Sequence, residues 1–302
     1  STILYSKQSF GASNISTYTP AEDDPESDEY VKSLKSELSV EYNNQNNEYF
    51  FDFYFVPNKY ALLNPLDKGF ESLIPLGWGI FGWVNKLLII PMFNFLEKFS
   101  LNYGVIILII AVVIKLLLFW PTKSSYLSMA KMRVLKPEID ALNEKIKDPI
   151  QRQKAQMNLY KKTGVNPMGG CLPMLFQMPV LIALFRFFPS SIELRQQPFL
   201  WADDLSTYDS VLEFALWPGY FDHLSLFALL MSISTLVQMV YSNQLSSTPQ
   251  MPQMKYIMYI MPVVFFFVMN NYSSGLSYYY FLANLITFAQ QALIRRNIDD
   301  DK

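Results

Sequence analysis

Apolar positions gather in five long runs. Gly104–Trp120 (GVIILIIAVVIKLLLFW) is interrupted only by Lys115. Cys171–Phe188 holds Gln177 and Arg186, and Tyr256–Met269 holds Pro262. Leu224–Tyr241 and Leu276–Ile294 carry no charge. A membrane-spanning helix needs about 20 mostly apolar residues. The runs therefore predict five spans, at about 102–121, 169–189, 223–242, 255–270 and 275–294. The second and fourth are short, so their polar flanks must sit near the interfaces or the membrane must thin there. The fold class expected is an all-α polytopic membrane protein with a five-helix core at 101–296.

Three other patterns surround these runs. In residues 79–99 (GIFGWVNKLLIIPMFNFLEKF), Val84, Leu87, Leu88, Pro91, Met92, Phe95, Leu96 and Phe99 recur at helical spacing. Asn85, Lys86, Asn94, Glu97 and Lys98 fall largely opposite. This predicts an amphipathic helix in the outer interface, within a segment at 69–100; a sixth span is the alternative. Residues 37–57 alternate on both sides of an Asn-rich middle, which predicts a β-hairpin. Two strands alone are marginal, so this segment is expected to be the tail of a larger extracytoplasmic β domain. Residues 11–30 are polar and expected to be mobile.

Charge adds orientation. Apolar residues make up 51% of the 302 and charged residues 17%, against roughly 25% charged in soluble domains. The net charge of −2 is unevenly spread. Residues 1–75 hold five Lys/Arg against twelve Asp/Glu, and residues 122–167 hold ten against four. Residues 190–223 hold Arg195 against six acids. Basic loops stay cytoplasmic. The front segment and 190–223 are then outside, and loop 242–255 and the C-terminus, after Arg295-Arg296, are inside. Residues 1–30 carry no export signal and the chain begins without Met, so an upstream signal anchor is expected.

The basic segment predicts a cytoplasmic helical hairpin at 124–163. Leu135, Ile139, Leu142 and Ile146 make a coiled-coil seam that Ile150, Met157 and Tyr160 continue on the return helix. Asp148-Pro149 reads as a helix start and Gly164 as its C-cap. The outer faces carry Lys131, Arg133, Lys136, Lys145, Lys147, Arg152, Lys154, Lys161 and Lys162. They serve either as an orientation-setting solvated face or as a docking surface for acidic lipid headgroups, ribosomal RNA or a nascent chain.

Polar residues within the runs form stripes. Ser232, Thr235, Gln238 and Ser242 share one helix face, and Ser277, Tyr280, Asn284, Thr287 and Gln291 share another. Such residues serve as helix-to-helix glue or line a hydrated groove. Lys115 bears on the choice. No Asp or Glu lies in the five runs, and an unpaired ammonium in a dry bundle is very costly. Lys115 either snorkels towards Lys123, roughly 12 Å along the helix, or faces a hydrated cavity with Gln177 and the two stripes.

Several classes are excluded. One Cys and one His leave no disulfide scaffold and no Cys/His metal site. There is no Gly-rich phosphate loop and no Ser/His/Asp set, so neither an enzyme nor a cofactor is expected. The lack of intramembrane carboxylates weighs against ion-coupled transport. A channel or transporter for a small anionic solute, with Lys115 as the anion site, stays open as the alternative function.

Specific strings then carry a resemblance. These are LNYGVIILII, PTKSSYLSMAKMRVLKPEI, GVNPMGGCLPMLFQMPVLIALF, SIELRQQPFLWADDLS and SSGLSYYYFLANLITFAQQALI. Asn166-Pro167, Gly169-Gly170-Cys171 and Glu193-Leu194-Arg195 fall in order within them. From Gly69 to Arg296 the chain resembles the YidC/Oxa/Alb family of membrane insertases. The resemblance implies a five-helix core around a hydrophilic groove, open to cytoplasm and lipid and closed outside. It implies a multi-pass protein of the bacterial inner membrane that inserts nascent membrane proteins, alone or with the Sec translocon, in contact with lipids and without DNA. The family's groove carries a basic residue, commonly Arg, and Lys115 matches it without the bidentate fork. Groove residues expected are Lys115, Gln177, Thr235, Gln238, Tyr280, Asn284 and Thr287. Hairpin docking residues expected are Lys131, Arg133, Lys136, Arg152, Lys154, Lys161 and Lys162. Members usually carry an aromatic and a Pro before Ser-Gly-Leu, where this chain reads Asn270 to Leu276 without Pro. Some relatives carry long basic tails for the ribosome; residues 297–302 are a short tail ending IDDDK, so ribosome contact is expected to be weak. Gram-negative members have a periplasmic β-sandwich, of which residues 1–68 would be the C-terminal remnant.

Overall fold

The computed structural model describes the chain except residues 1, 8, 21–31, 42–47, 166–171, 218–220, 246–251 and 301–302. Side chains are also not described at 129, 133, 149, 172–174, 215–217, 221, 243–245, 252–258, 295 and 297–300. Two compact units divide at Asn58 and Lys59, whereas the sequence pattern carries the front segment to residue 68.

The front unit is four strands in two antiparallel ladders. β1 (Thr2–Ser6) pairs with β4 (Phe51–Phe55), from Thr2 opposite Phe55 to Ser6 opposite Phe51. β2 (Phe10–Tyr18) pairs with β3 (Ser33–Val40), from Phe10 opposite Val40 to Tyr18 opposite Ser33. This corrects the expected hairpin at 37–57: its two halves belong to different ladders. It also corrects the reading of 11–30 as mobile, because residues 11–18 are strand. The alternation of residues 37–57 is real, but the partners lie upstream. Ile15, Thr17 and Tyr18 favour a pleated surface and help give β3 a nine-residue partner. β3 therefore pairs with β2 and β4 with β1, rather than with each other.

The second unit is helical. It opens with α1 (Tyr60–Leu63), two short 3-10 turns, and α2 (Gly79–Val84). A π-helical turn, Asn85–Ile89, joins α2 to α3 (Ile90–Glu97). The continuous helix Gly79–Glu97 is, among the described residues, the one helix long and apolar enough to cross a membrane by itself. Its packed face differs from the expected stripe. Gly82, Asn85, Ile89, Ile90 and Phe93 are buried, while Leu87 and Phe95 are exposed. Asn85, expected on the polar face, donates to the carbonyls of Leu76 (2.7 Å) and Ala183 (2.8 Å). The amide satisfies two backbone groups that water does not reach, which decides which face turns inward. Lys59 binds Glu97 at 2.6 and 2.8 Å, and Tyr103 donates to Glu97 at 3.1 Å.

α4 (Tyr103–Leu117) and α5 (Phe119–Val134) follow, bent by 53°. α6 (Lys136–Lys145) and α7 (Pro149–Thr163) make the hairpin. Asp148 caps α7 by accepting from Ile150 N at 3.0 Å, and Gly164 ends it with φ at +66°, a left-handed turn suited to glycine. The expected seam forms in part. Leu135, Ile139 and Tyr160 are buried, whereas Ile150 and Met157 are exposed. The reason is a different partner. The buried cluster takes in Tyr126, Met132, Val165 and Ile294 of the last helix, so the hairpin base packs on the bundle. Burial raises the Tyr160 hydroxyl above its ordinary pKa.

α8 (Leu172–Ser190), α9 (Leu226–Leu245), α10 (Pro252–Asn270) and α11 (Ser274–Asp300) complete the unit. β5 (Leu212–Trp217) and β6 (Phe221–Leu224) form a small antiparallel sheet between α8 and α9. The core lies where α4, α8, α9 and α11 meet. It contains Ile106, Ile110, Ile114, Leu184, Phe188, Phe227, Met231 and Tyr279. Ile233, Val237, Ile260, Val264, Phe267, Leu285 and Leu293 stand exposed. Exposed apolar faces of this extent suit a lipid solvent. Among the described residues the apolar stretches of α8, α9 and α10 are Leu175–Ser190, Leu226–Ser242 and Tyr259–Asn270.

Candidate functional site

The site begins at Lys115, near the end of α4. One side of α4, with Ile107, Ile110, Ala111 and Ile114, is buried, and another, with Leu108, Val112 and Leu116, is exposed. Lys115 lies between them and is half-buried. Its Nζ donates to Gln177 Oε1 of α8 at 3.1 Å. Among the described residues it makes no ion pair, so one neutral acceptor meets three ammonium donors. The remaining donors need water or a ligand.

The other expected groove residues separate. Asn284 of α11 donates to Ser234 Oγ at 2.9 Å and to Thr235 Oγ1 at 2.8 Å. Gln291 donates to Ser242 Oγ at 3.2 Å. The two polar stripes thus face one another and join α9 to α11. Tyr280 donates to the carbonyl of Leu181 at 3.2 Å, and Thr287 donates to Ala283 of its own helix at 2.7 Å. Gln238 is half-buried and makes no hydrogen bond to a described residue. The structure therefore brings Lys115 to Gln177 and Thr235 to Asn284. Tyr280, Thr287 and Gln238 join neither pair.

Two polar partners escape the stripe pattern. Gln290, buried beside Gln291, donates to the carbonyl of Lys115 at 3.0 Å. Ser234 sits one position before Thr235. A stripe drawn at steps of three and four skips both. The doubled Gln290-Gln291 is the signal that marks the first.

The end of the bundle formed by residues 190–217, 221–224 and 270–276, the loop end, is tied together by a hydrogen-bonded clamp. Asp209 is buried. Its Oδ2 accepts from Trp201 Nε1 (2.8 Å) and Phe227 N (3.0 Å), and its Oδ1 accepts from Ser225 Oγ. Ser225 Oγ in turn accepts from Ala228 N at 3.1 Å. A carboxylate thus meets the free N–H groups and positive dipole at the start of α9. Asn270 joins α10 to the same point by donating to His223 O and accepting from Ser225 N, each at 2.9 Å. His223 lies 2.7 Å from Asp222 Oδ1 and 2.9 Å from Asn270 O, with Tyr208 stacked on its ring. The hydrogen bond to His223 holds the Asp222 carboxyl below its usual pKa.

The same loop covers α4 and α11. Ser273 Oγ and Gly275 N donate to Leu205 O at 2.7 and 3.1 Å. Asn102 donates to Pro198 O at 3.1 Å. The Phe199 ring lies on Gly104, where a Cβ would stand 2.1 Å from a ring carbon. Tyr278, Phe227 and Trp201 continue the aromatic layer. Sequence reading finds the acidic loop but not this clamp, because Asp209 looks like its five acidic neighbours until it is buried.

At the hairpin, Lys131, Lys136, Lys154, Lys161 and Lys162 are exposed and Arg152 is half-buried. The Arg133 side chain, Asn166-Pro167, and Gly169-Gly170-Cys171 lie outside what is described.

Residues 95–301 match the family model described as the 60Kd inner membrane protein. The chain belongs to that family. It is 46% identical over 321 residues to the membrane protein insertase YidC of Parabacteroides distasonis, covering 100% of this chain and 50% of the relative. It is 49% identical over 279 residues to that of Amoebophilus asiaticus, covering 91% and 46%. A solved structure described as "Active YidC insertase crystal structure with the first transmembrane domain resolved" is similar, with a TM-score of 0.53 and 26% identity. It covers 85% of this chain and 56% of that one. The chain thus spans about half the length of the curated relatives it matches.

Proposed function

We propose that this inner-membrane protein inserts nascent membrane proteins through a polar groove at Lys115 and Gln177, with Thr235, Gln238, Tyr280, Asn284 and Thr287 on the adjoining helices. The observation that carries the reading is an asymmetry. The loop end is tied together around a buried carboxylate, while, among the described residues, the one charged side chain within the apolar stretch of α4 holds a single neutral partner. In this scheme five helices cross the membrane, at about 102–121, 169–189, 223–242, 255–270 and 275–294. The loop end and the front strands are periplasmic. The hairpin and the C-terminus are cytoplasmic, and Gly79–Glu97 lies in the outer interface.

A substrate enters from the cytoplasm, drawn by the ammonium, whose attraction for a carboxylate grows as water is excluded. The second and fourth apolar runs of the sequence, Cys171–Phe188 and Tyr256–Met269, are short, which favours local thinning of the bilayer and reduces the distance a polar segment must travel. Burial of the substrate helix in lipid then drives completion, at about 0.8 kcal/mol per buried CH₂. The hairpin residues Lys131, Arg133, Lys136, Arg152, Lys154, Lys161 and Lys162 dock lipid headgroups or the emerging chain. The Sec translocon is a partner for larger substrates, and the ribosome a weak one. An anion channel or transporter would need a through-path, and Phe199 seated on Gly104 argues against one.

The test is insertion into proteoliposomes of a matched substrate pair, one with an acidic translocated segment and one neutralised. Lys115→Arg is expected to keep function, and Lys115→Leu to slow the acidic substrate more than the neutral one. Equal rates for wild type and Lys115→Leu on the acidic substrate would sink the role of the charge.

A further inference from the structure

Helix α4 stops at Leu117 and α5 starts at Phe119, with a 53° bend between them. Pro121 accounts for the break. It has no N–H for the Leu117 carbonyl, and its ring crowds the preceding turn. In an apolar surrounding such a break leaves carbonyls that water does not reach, and each needs another donor. Part of the ladder survives: Leu118 N donates to Ile114 O at 3.0 Å, and Thr122 N and Oγ1 both donate to Leu118 O. The Lys115 carbonyl is served from outside the helix, by Gln290 Nε2 of α11 at 3.0 Å.

Gln290 is buried, so its amide has little else to bind and is costly to leave unpaired. Lys115 is therefore held twice. Its main chain is tied to α11 through Gln290, and its ammonium to α8 through Gln177 at 3.1 Å. We propose that Gln290 is a positioning residue for the groove charge: by donating to the Lys115 carbonyl at the break between α4 and α5, it sets where the Lys115 ammonium stands. Gln290 meets no substrate and acts through Lys115. The proposal rests on the groove reading above, which gives the charge its task.

The substitution is Gln290→Met, which keeps length and volume and removes the donor. Two measurements on the full chain in proteoliposomes decide it. The first needs no substrate. Spin labels at Leu108→Cys and Leu127→Cys, in a Cys171→Ser background, report the distance across the break. A narrow distribution that broadens or shifts in Gln290→Met is expected; an unchanged one overturns the clamp. The second is the ratio of acidic to neutral substrate insertion. It should fall about fivefold in Gln290→Met, the factor one hydrogen bond carries, and should fall no further when Gln290→Met is added to Lys115→Leu. A ratio unchanged by Gln290→Met while Lys115→Leu lowers it overturns the proposal, as does an additive loss in the double variant. If Lys115→Leu alone leaves the ratio unchanged, the groove reading falls, and the spin-label distances still decide the clamp.

Discussion

Two charged groups at different places in this bundle, Asp209 and Lys115, are treated in opposite ways. At the loop end the Asp209 carboxylate accepts from Trp201, Ser225 and Phe227. Towards the hairpin the Lys115 ammonium has, among the described residues, only Gln177. The first charge is saturated by donors from the loop and from the start of α9, and it fixes structure. The second keeps donor capacity unspent, which a fold does not need and a binding site does. Burying a charge is tolerable when hydrogen bonds replace its water. Where they are withheld, water or a ligand must complete the set.

The comparison can be broken most sharply at Asp209. Asp209→Ala removes the acceptor of three hydrogen bonds and should destabilise the solubilised protein by roughly 3 kcal/mol, read by thermal or denaturant unfolding. A loss near that of Lys115→Leu would mean that the two charges are not treated differently. Gly104→Val should come next, at about 2 kcal/mol, because Phe199 leaves no room for a Cβ. The same variant should let ions leak from loaded proteoliposomes if the aromatic layer is the seal; tight vesicles would place the seal elsewhere.

Smaller effects sharpen the picture. Asn284→Leu should cost only about 0.6 kcal/mol, as interhelical hydrogen bonds in membranes do. Insertion should nonetheless slow if Asn284 lines the working groove; unchanged insertion of both substrates would leave Asn284 as helix glue alone. The smallest effect is expected at Asp222, which is exposed. Its pKa is lowered from 3.8 by His223. Its contribution is therefore present above pH 3.8 and lost as pH falls through the lowered value. The stability gap between wild type and Asp222→Asn should close on acidification, and a gap that widens would reverse that sign.

Some of this was legible in the chain and some was not, for identifiable reasons. The caps at Asp148 and Gly164 were legible because capping is local. Lys115 and the two polar stripes were legible because polar residues stand out against apolar runs. The pairing of strands was not: alternation in residues 37–57 announces strands, but the same period fits any partner, and the partners lie upstream. Asn85 was also misplaced, since its polarity suggested solvent while the fold offered two carbonyls.

The sequence by itself determined that the chain is mostly helical, which loops carry which charge, and that Lys115 has no carboxylate within the apolar runs. These follow from composition and from periods of a few residues, which neighbours along the chain enforce. Only the tertiary structure decided that Asp209 ties the loop end together, that Thr235 meets Asn284, that Gln177 receives the ammonium and that Gln290 serves the broken helix. Each of those contacts joins residues distant in sequence. Their partner choice is set by helix packing and by the need of every buried polar group for a mate, neither of which is written in the spacing of residues along one helix.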